Sequence, residues 1–347
     1  MRITHIIAGS RYGGAEKFFT DLTTSLSGHK LHQHVITRPF PERLSCIPKD
    51  NLHVTRAKLG SSIDLLSKLK VRRSIELFVP DVIMAWMNRG AAFLPNGPWI
   101  KVGRLGGYYN LKYYSKCDHL ICNTPDIVNY CIDNGWSKEK THYIPNFSPQ
   151  NSDQPVPRKT LNTPPDAATV VILARLEKSK GIDVAIQALT YLPNIFLWIA
   201  GEGSQKAELL KLAKSLKLND RVKFLGWRAD RDALLKSADI CLIPSRTEPF
   251  GNVILNAWAN STPVISTATK GGCFLIKNGQ NGVLAPINDP KRLSELMSKI
   301  IVNKSYAKSL VDGGVKSINT NFSEKMVTEK YINFFKKLTK IISPTKK

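Results

Sequence analysis

Two basic side chains and one carboxylate, each just past an apolar run, are the residues of this sequence best placed to do chemistry. Arg175 and Lys180 follow the run 170–174 in the segment VVILARLEKSKG, where a strand end meets a helix start. A guanidinium there would grip a diphosphate through a forked pair of hydrogen bonds, and an ammonium would add a point charge. Glu248 lies in PSRTEPFGNVILNAWA, after the run 240–243 and before a helix that opens at Phe250, Gly251, Asn252 and Val253. A carboxylate at that place accepts hydrogen bonds from sugar hydroxyls. Gly251 lets a phosphate approach the backbone, and the helix start offers N–H groups and partial positive charge. Three weaker segments accompany these. Residues 195–203 end in Gly201-Glu202-Gly203 ahead of a helix but lack the third glycine of a dinucleotide fingerprint. Leu225, Gly226 and Trp227 form a turn suited to holding a nucleobase. Gly13 and Gly14, in a loop after the first apolar run, supply backbone freedom beside a ligand. Taken singly, each segment also fits a plain strand-to-helix connection with no ligand.

Such loops need a scaffold, and the hydrophobic pattern supplies one. Apolar runs alternate with amphipathic stretches from end to end, the mark of parallel βαβ units. The spacing predicts strands at 3–8, 34–37, 81–85, 100–102 and 119–122, with helices at 15–26 and 63–78. A second series predicts strands at 170–174, 196–200, 222–224, 240–243 and 263–266. Helices are expected there at 182–191, 205–216, 231–236, 252–258 and 291–303. Between the two series, SPQNSDQPVPRKTLNTPPDAA carries five prolines and little apolar content, and reads as an exposed linker. The expectation is an α/β chain of two doubly wound domains: 1–150, a linker at 151–168, and 169–322. In such sheets ligands bind at the carboxyl ends of the strands, where the winding direction switches.

Composition narrows the class. No stretch approaches the ~18 consecutive apolar residues of a membrane helix. The N-terminus turns too early for a secretory signal, and six cysteines without paired spacing point to a reduced, cytoplasmic setting. Cys117, His119, Cys122 and Cys131 lie close in sequence, but strand alternation separates them and no metal site is expected. No Gly-x-Ser-x-Gly or Walker motif occurs. The net charge of +23, from 50 Lys and Arg against 27 Asp and Glu, is spread over both halves, unlike the concentrated charge of a nucleic-acid binder. Two basic stretches stand out: Lys68, Lys70, Arg72 and Arg73, and the tail 325–347 with seven lysines and one glutamate. Both suit either solvated helix faces or an anionic membrane surface.

The motifs in order, Gly13-Gly14-Ala15-Glu16, Pro145-Asn146, Arg175 with Lys180-Gly181, Gly201-Glu202-Gly203, Phe224-Leu225-Gly226 and Glu248-Pro249-Phe250-Gly251, resemble glycosyltransferase family 4 over nearly the whole chain. The resemblance implies a GT-B fold, two Rossmann-like domains facing across a cleft. The acceptor side is then N-terminal and the nucleotide-sugar side C-terminal, with residues 323–347 a helix crossing back to the first domain. It implies retaining transfer from a nucleotide-sugar without a metal or other cofactor. Arg175 and Lys180 would neutralise the leaving diphosphate, and Glu248 would hold donor hydroxyls. Gly13, Gly14, Gly203, Phe250, Gly251, Asn252, Val253 and Asn256 would line the donor, and Leu225, Gly226 and Trp227 the base. The segment RLGGYYNLKYY at 104–114 resembles a bacterial branch acting on lipopolysaccharide and other envelope glycans, placing Arg104 and Tyr108 on the acceptor side. Such an enzyme would work at the inner membrane face on a glycan or glycolipid acceptor.

Two departures qualify the match. Where the family carries a second glutamate, eight residues after the first, this chain has Asn256, which keeps an acceptor oxygen and loses the charge. Where many relatives carry an acceptor-side histidine, Gly107-Tyr108 stands instead, so no catalytic base is assigned. Asn256 leaves open a non-catalytic paralogue that binds nucleotide-sugar as a scaffold or partner subunit; another GT-B enzyme, such as a nucleotide-sugar epimerase, fits the motif order less well.

Overall fold

Covered on both faces, the apolar runs of the first half become strands of one parallel sheet. They are β1 (Arg2–Ile7), β2 (His32–Thr37), β3 (Leu52–Arg56), β4 (Val82–Trp86), β5 (Ile100–Leu105), β6 (His119–Cys122) and β7 (Thr141–Tyr143). Their spatial order is β3-β2-β1-β4-β5-β6-β7. The computed structural model describes residues 1–48, 52–61, 63–150 and 152–342. The chain divides into two units, Met1–Phe147 completed by the helix Glu324–Ile342, and Ser148–Ser323.

In the first unit one face of the sheet is packed by Phe18 and Phe19 of the helix Gly14–Ser27 and by Tyr331 and Phe335 of Glu324–Ile342, around Trp86. The Phe19 ring meets Trp86 edge-on at 5.2 Å. Val71 and Ile75 of the helix Leu65–Phe78, with Ile127 and Cys131 of Pro125–Asp133, cover the opposite face. The helix predicted from 63 starts at Leu65 because the Asp64 carboxylate accepts from the Ser67 N–H and caps it.

The second unit repeats the plan with β8 (Ala168–Leu173), β9 (Ile195–Ala200), β10 (Val222–Gly226), β11 (Ile240–Ile243), β12 (Val264–Thr267) and β13 (Val283–Ala285). All pairs are parallel, in the order β10-β9-β8-β11-β12-β13. Its core lies under the helices Ile182–Ala188, Lys206–Ser215 and Pro290–Val302 on one face, and Arg231–Ser237 and Asn252–Ala259 on the other. In each unit the winding reverses beside the first strand, between β1 and β4 and between β8 and β11, leaving a crevice at the carboxyl ends.

Two differences from the sequence reading have physical causes. The strands β3, β7 and β13 were not expected; all are sheet edges of three to five residues. An edge strand needs no continuous apolar run, and β3 is largely exposed. The segment read as an exposed linker is mostly exposed, and it is also fastened to the second unit. Val156 and Leu161 pack on its core, and Thr163 accepts from the Trp198 indole at 2.9 Å. Arg158 bonds the Ser237 and Ala167 carbonyls and the Asp239 carboxylate.

Candidate active site

The loops after β8 and β11 meet at the switch point of the second unit, and a glycine makes this possible. Gly181 has φ +61°, and a Cβ there would stand 2.0 Å from the Pro244 carbonyl oxygen. Without a side chain, the turn Lys178–Lys180 presses directly on the start of the β11 loop. That contact sets Lys180 Nζ 2.7 Å from Glu248 Oε2, both side chains half-buried. The two residues expected to serve diphosphate and sugar are therefore each other's partner. Arg175, by contrast, lies exposed and pairs with Glu177 at 2.5 Å.

A clamp that sequence reasoning missed fixes these loops. Arg246 donates to both Asp183 oxygens at 2.9 and 2.6 Å, to the Lys178 carbonyl at 2.6 Å and to Asn288 Oδ1 at 2.8 Å. Its backbone N–H reaches the Ser179 carbonyl at 2.8 Å. Burial pushes the Asp183 carboxyl up, but the bond and charge of Arg246 outweigh it and hold the group below its ordinary range. Arg246 is a positioning residue: it holds the Lys180 turn against the Glu248 loop.

Beyond Glu248, the helix Asn252–Ala259 starts at Gly251, φ +94°, with no side chain capping it. Asn252 and Val253 are half-buried in its first turn. Phe250, expected to line the donor, turns inward instead: its ring is buried beside Phe274, and a Cβ on Gly271 would come within 2.5 Å of its backbone. The reason is packing, so only its main chain remains for a ligand. Asn256 donates through Nδ2 to Ser148 Oγ at 2.8 Å. The remaining glycines of the second unit serve close backbone contact. A Cβ on Gly203 would lie 2.4 Å from the Leu176 carbonyl oxygen, and the Gly201 N–H donates to the Gly226 carbonyl at 2.7 Å. Gly226 has φ +66° and sits between half-buried Leu225 and exposed Trp227.

In the first unit the glycine loop after β1 closes on a carboxylate. Glu16 accepts from the Ser10 N–H at 2.8 Å, and Cβ atoms on Gly9 or Gly13 would each lie 2.2 Å from its oxygens. Gly13 thus makes room for Glu16, and Gly14 begins the helix. Arg104, expected at the acceptor side, is corrected by its burial: it is only 1% exposed. Its guanidinium lies 4.7 Å from the Phe18 ring centre and 4.9 Å from that of Trp86, and donates to Asn146 Oδ1 and the Tyr331 hydroxyl. Tyr108 does reach a recess of about 500 Å³, lined with Asn110, Lys112, Tyr130 and Asn134 among others. Its hydroxyl bonds the Asp126 carboxylate, and burial followed by that partner raises its pKa. Sequence reasoning also missed Met87 and Asn88 at the carboxyl end of β4. Met87 holds φ +59°, and Asn88 Oδ1 is buried with no hydrogen-bond partner among the described residues. Of the cysteine cluster, Cys122 and Cys131 face each other at 3.8 Å while His119 meets His142 at 3.2 Å.

Comparison with known proteins gives this geometry a context. Residues 153–316 match the family model for glycosyl transferases group 1. The chain is 33% identical to the lipopolysaccharide core biosynthesis glycosyltransferase LpsE of Rhizobium meliloti, covering 96% of this chain and 98% of that protein. Identity to LpsD of the same organism is 31%, with the same coverage. Among solved structures, Anabaena Alr3699/HepE in complex with UDP-glucose superposes with a TM-score of 0.84 at 20% identity, over 97% of this chain and all of that one. That likeness shows a GT-B fold. With a third of its residues shared over nearly its full length with LpsE, this chain belongs to the group 1 glycosyltransferases.

Proposed function

We propose that the chain is a retaining glycosyltransferase of family 4 that moves a sugar from a nucleotide-sugar to the glycan of a lipopolysaccharide core or related envelope glycolipid. The Lys180–Glu248 pair at the carboxyl ends of β8 and β11 carries this reading. In the free protein each satisfies the other. When a donor enters, its diphosphate takes the ammonium and its sugar hydroxyls take the carboxylate, so neither half-buried charge is left without a partner. Lys180, Arg175 and the helix start at Gly251 then meet the charge that grows on the leaving diphosphate, the kind of preorganised term that dominates many transfers. The departing phosphate accepts the acceptor hydroxyl's proton, so this route uses no protein nucleophile and no metal.

Leu225, Gly226 and Trp227 are assigned to the base, Asn256 to the ribose, and Gly13, Gly14, Gly203, Asn252 and Val253 to the rest of the donor. Tyr108, with Asn88, is assigned to the acceptor. The acceptor class is supported by the names of LpsE and LpsD, and the donor class by the UDP-glucose in the HepE structure. The site of action we assign is the cytoplasmic face of an anionic membrane, on the strength of the basic surface. Among the described residues no helix is long and apolar enough to cross a membrane.

A thermal-shift screen of UDP-, GDP-, ADP- and CMP-sugars tests the donor. A ligand at a hundred times its Kd adds about 2.7 kcal/mol to the native state, and one nucleotide class is expected to raise the midpoint. Transfer to a truncated lipopolysaccharide core, read by mass and by the anomeric coupling of the product, then tests the reaction. No shift with any donor sinks the reading. A shift without transfer makes the protein the non-catalytic binder that Asn256 leaves open.

A further inference from the structure

The helix Leu65–Phe78 has two apolar faces, and among the described residues only one is covered. Ser67, Val71, Ile75 and Phe78, spaced four, four and three residues apart, turn inward onto the first unit. Leu65, Leu66, Leu69 and Leu77 turn outward and are 67–83% exposed. Ile63 just before the helix and Val79 just after it are exposed as well. Leu66, Leu69, Arg73 and Leu77 follow i, i+3, i+7 and i+11, one line along the side opposite Val71 and Ile75. Singly exposed leucines are ordinary on a surface; a line of them is a contact face.

The charges around that line are mostly basic. Lys70, Arg72 and Arg73 are exposed and Lys68 half-buried. The acidic residues nearby are engaged: Asp64 caps the helix, and Glu76 pairs with Arg72 at 2.8 Å. A leucine line flanked by long cationic side chains is the pattern of a helix lying in a lipid interface, apolar side chains toward the acyl boundary and ammonium or guanidinium heads at the phosphates. The other basic helix, Glu324–Ile342, lacks this combination. Its Val327, Tyr331, Phe335 and Leu338 are buried in the first unit, and no large apolar side chain is exposed between residues 324 and 340.

We propose that the outer face of Leu65–Phe78 docks on an anionic lipid surface by inserting Leu66, Leu69 and Leu77, with Lys70, Arg72 and Arg73 on the headgroups. The proposal rests on the membrane-face part of the reading above and is independent of the transfer reaction. The two basic stretches thereby part company: the helix at 65–78 inserts, and the helix at 324–342 does not.

Flotation of the full chain with phosphatidylcholine vesicles, alone or mixed with phosphatidylglycerol, tests this. Wild-type protein should float with the mixed vesicles. Leu66→Ser/Leu69→Ser/Leu77→Ser should lower partitioning by about a hundredfold. Its melting midpoint and its transfer to a soluble acceptor should stay unchanged, since the buried face is untouched. Lys70→Gln/Arg72→Gln/Arg73→Gln should abolish the preference for the anionic lipid. Lys330→Gln/Lys336→Gln/Lys337→Gln should leave partitioning within a few fold. Flotation of the leucine variant at wild-type level overturns the proposal while leaving the membrane reading intact. Flotation with neither vesicle overturns both. A wild-type dimer in light scattering that the leucine variant turns into a monomer overturns it in favour of self-association.

Discussion

Lys180 is held by the Glu248 carboxylate, which on the proposed reading a bound donor would replace, and its removal is therefore a clean test of roles. Lys180→Ala is expected to cut kcat/KM by roughly two orders of magnitude, the usual cost of one preorganised donor to a developing charge. Arg175→Ala should do the same to activity yet leave the melting midpoint unmoved, because Arg175 is exposed and its ion pair is with the neighbouring, partly exposed Glu177. Wild-type turnover in both variants, with the protein folded, would remove the diphosphate assignment. Asn256 calls for a double variant. Its amide already donates to Ser148 Oγ at 2.8 Å, and in Asn256→Glu that hydroxyl can turn its own proton to the new carboxylate. The single change should therefore alter nucleoside diphosphate affinity little. Asn256→Glu/Ser148→Ala, with the carboxylate free for ribose, should gain up to about tenfold, the difference between a charged and a neutral hydrogen bond. Titration calorimetry on both forms decides it, and equal affinity throughout would take residue 256 off the ribose. Lys180 and Glu248 were legible in the sequence because each follows an apolar run. Arg246 was not, because its partner Asp183 is 63 residues away and neither belongs to a local pattern. Arg104 misled for a related reason. An arginine at a strand end reads as exposed until Phe18, Trp86 and Tyr331, distant in sequence, close around it.

At the scale of elements, the working part is the joint between two loops. Arg246→Ala removes a forked ion pair and two further bonds, and should loosen the turn that carries Lys180. We expect a loss of about 1 kcal/mol in stability, moderated by partial exposure, and a tenfold or so loss in kcat/KM. Arg246→Lys should rescue little, since an ammonium cannot span both Asp183 oxygens. Denaturant midpoints and steady-state kinetics on the two variants check this; full rescue by lysine would show that charge alone suffices. The parallel strands at the centre of each sheet were legible because burial on both faces demands continuous apolar runs. The edges β3, β7 and β13 were not, since one neighbour and partial burial impose no such demand. The segment 152–167 was legible in part: prolines and polar residues look like a tether, and a few anchors such as Thr163 and Arg158 are enough to lay it on the second unit.

At the scale of the molecule, all seven histidines belong to the first unit. Burial holds His34 and His142 down to about 4, and His5 down to about 3. Below the ordinary histidine pKa of 6.5 the unfolded chain takes up protons that these rings refuse. Their contribution is whole above that value and is lost as pH falls through about 4. Urea midpoints taken from neutral pH down to about 4 should therefore fall for the wild type. They should fall less for His34→Gln/His142→Gln, and equal slopes would remove the histidines as the cause. The first unit has another peculiarity: its last helix, Glu324–Ile342, is separated from its sheet by the whole of the second unit. During synthesis, at roughly 5–20 residues per second, that gap lasts on the order of ten to thirty seconds. Throughout it the nascent sheet shows an open aromatic face around Trp86 and Phe147, the natural target of a holding chaperone, while the second unit emerges with all its parts. The unit translated second is thus expected to be the first to become native. A released chain ending at residue 323 should yield a protease-resistant second unit and a cleavable first one, and a synthetic peptide of residues 324–342 should restore protection.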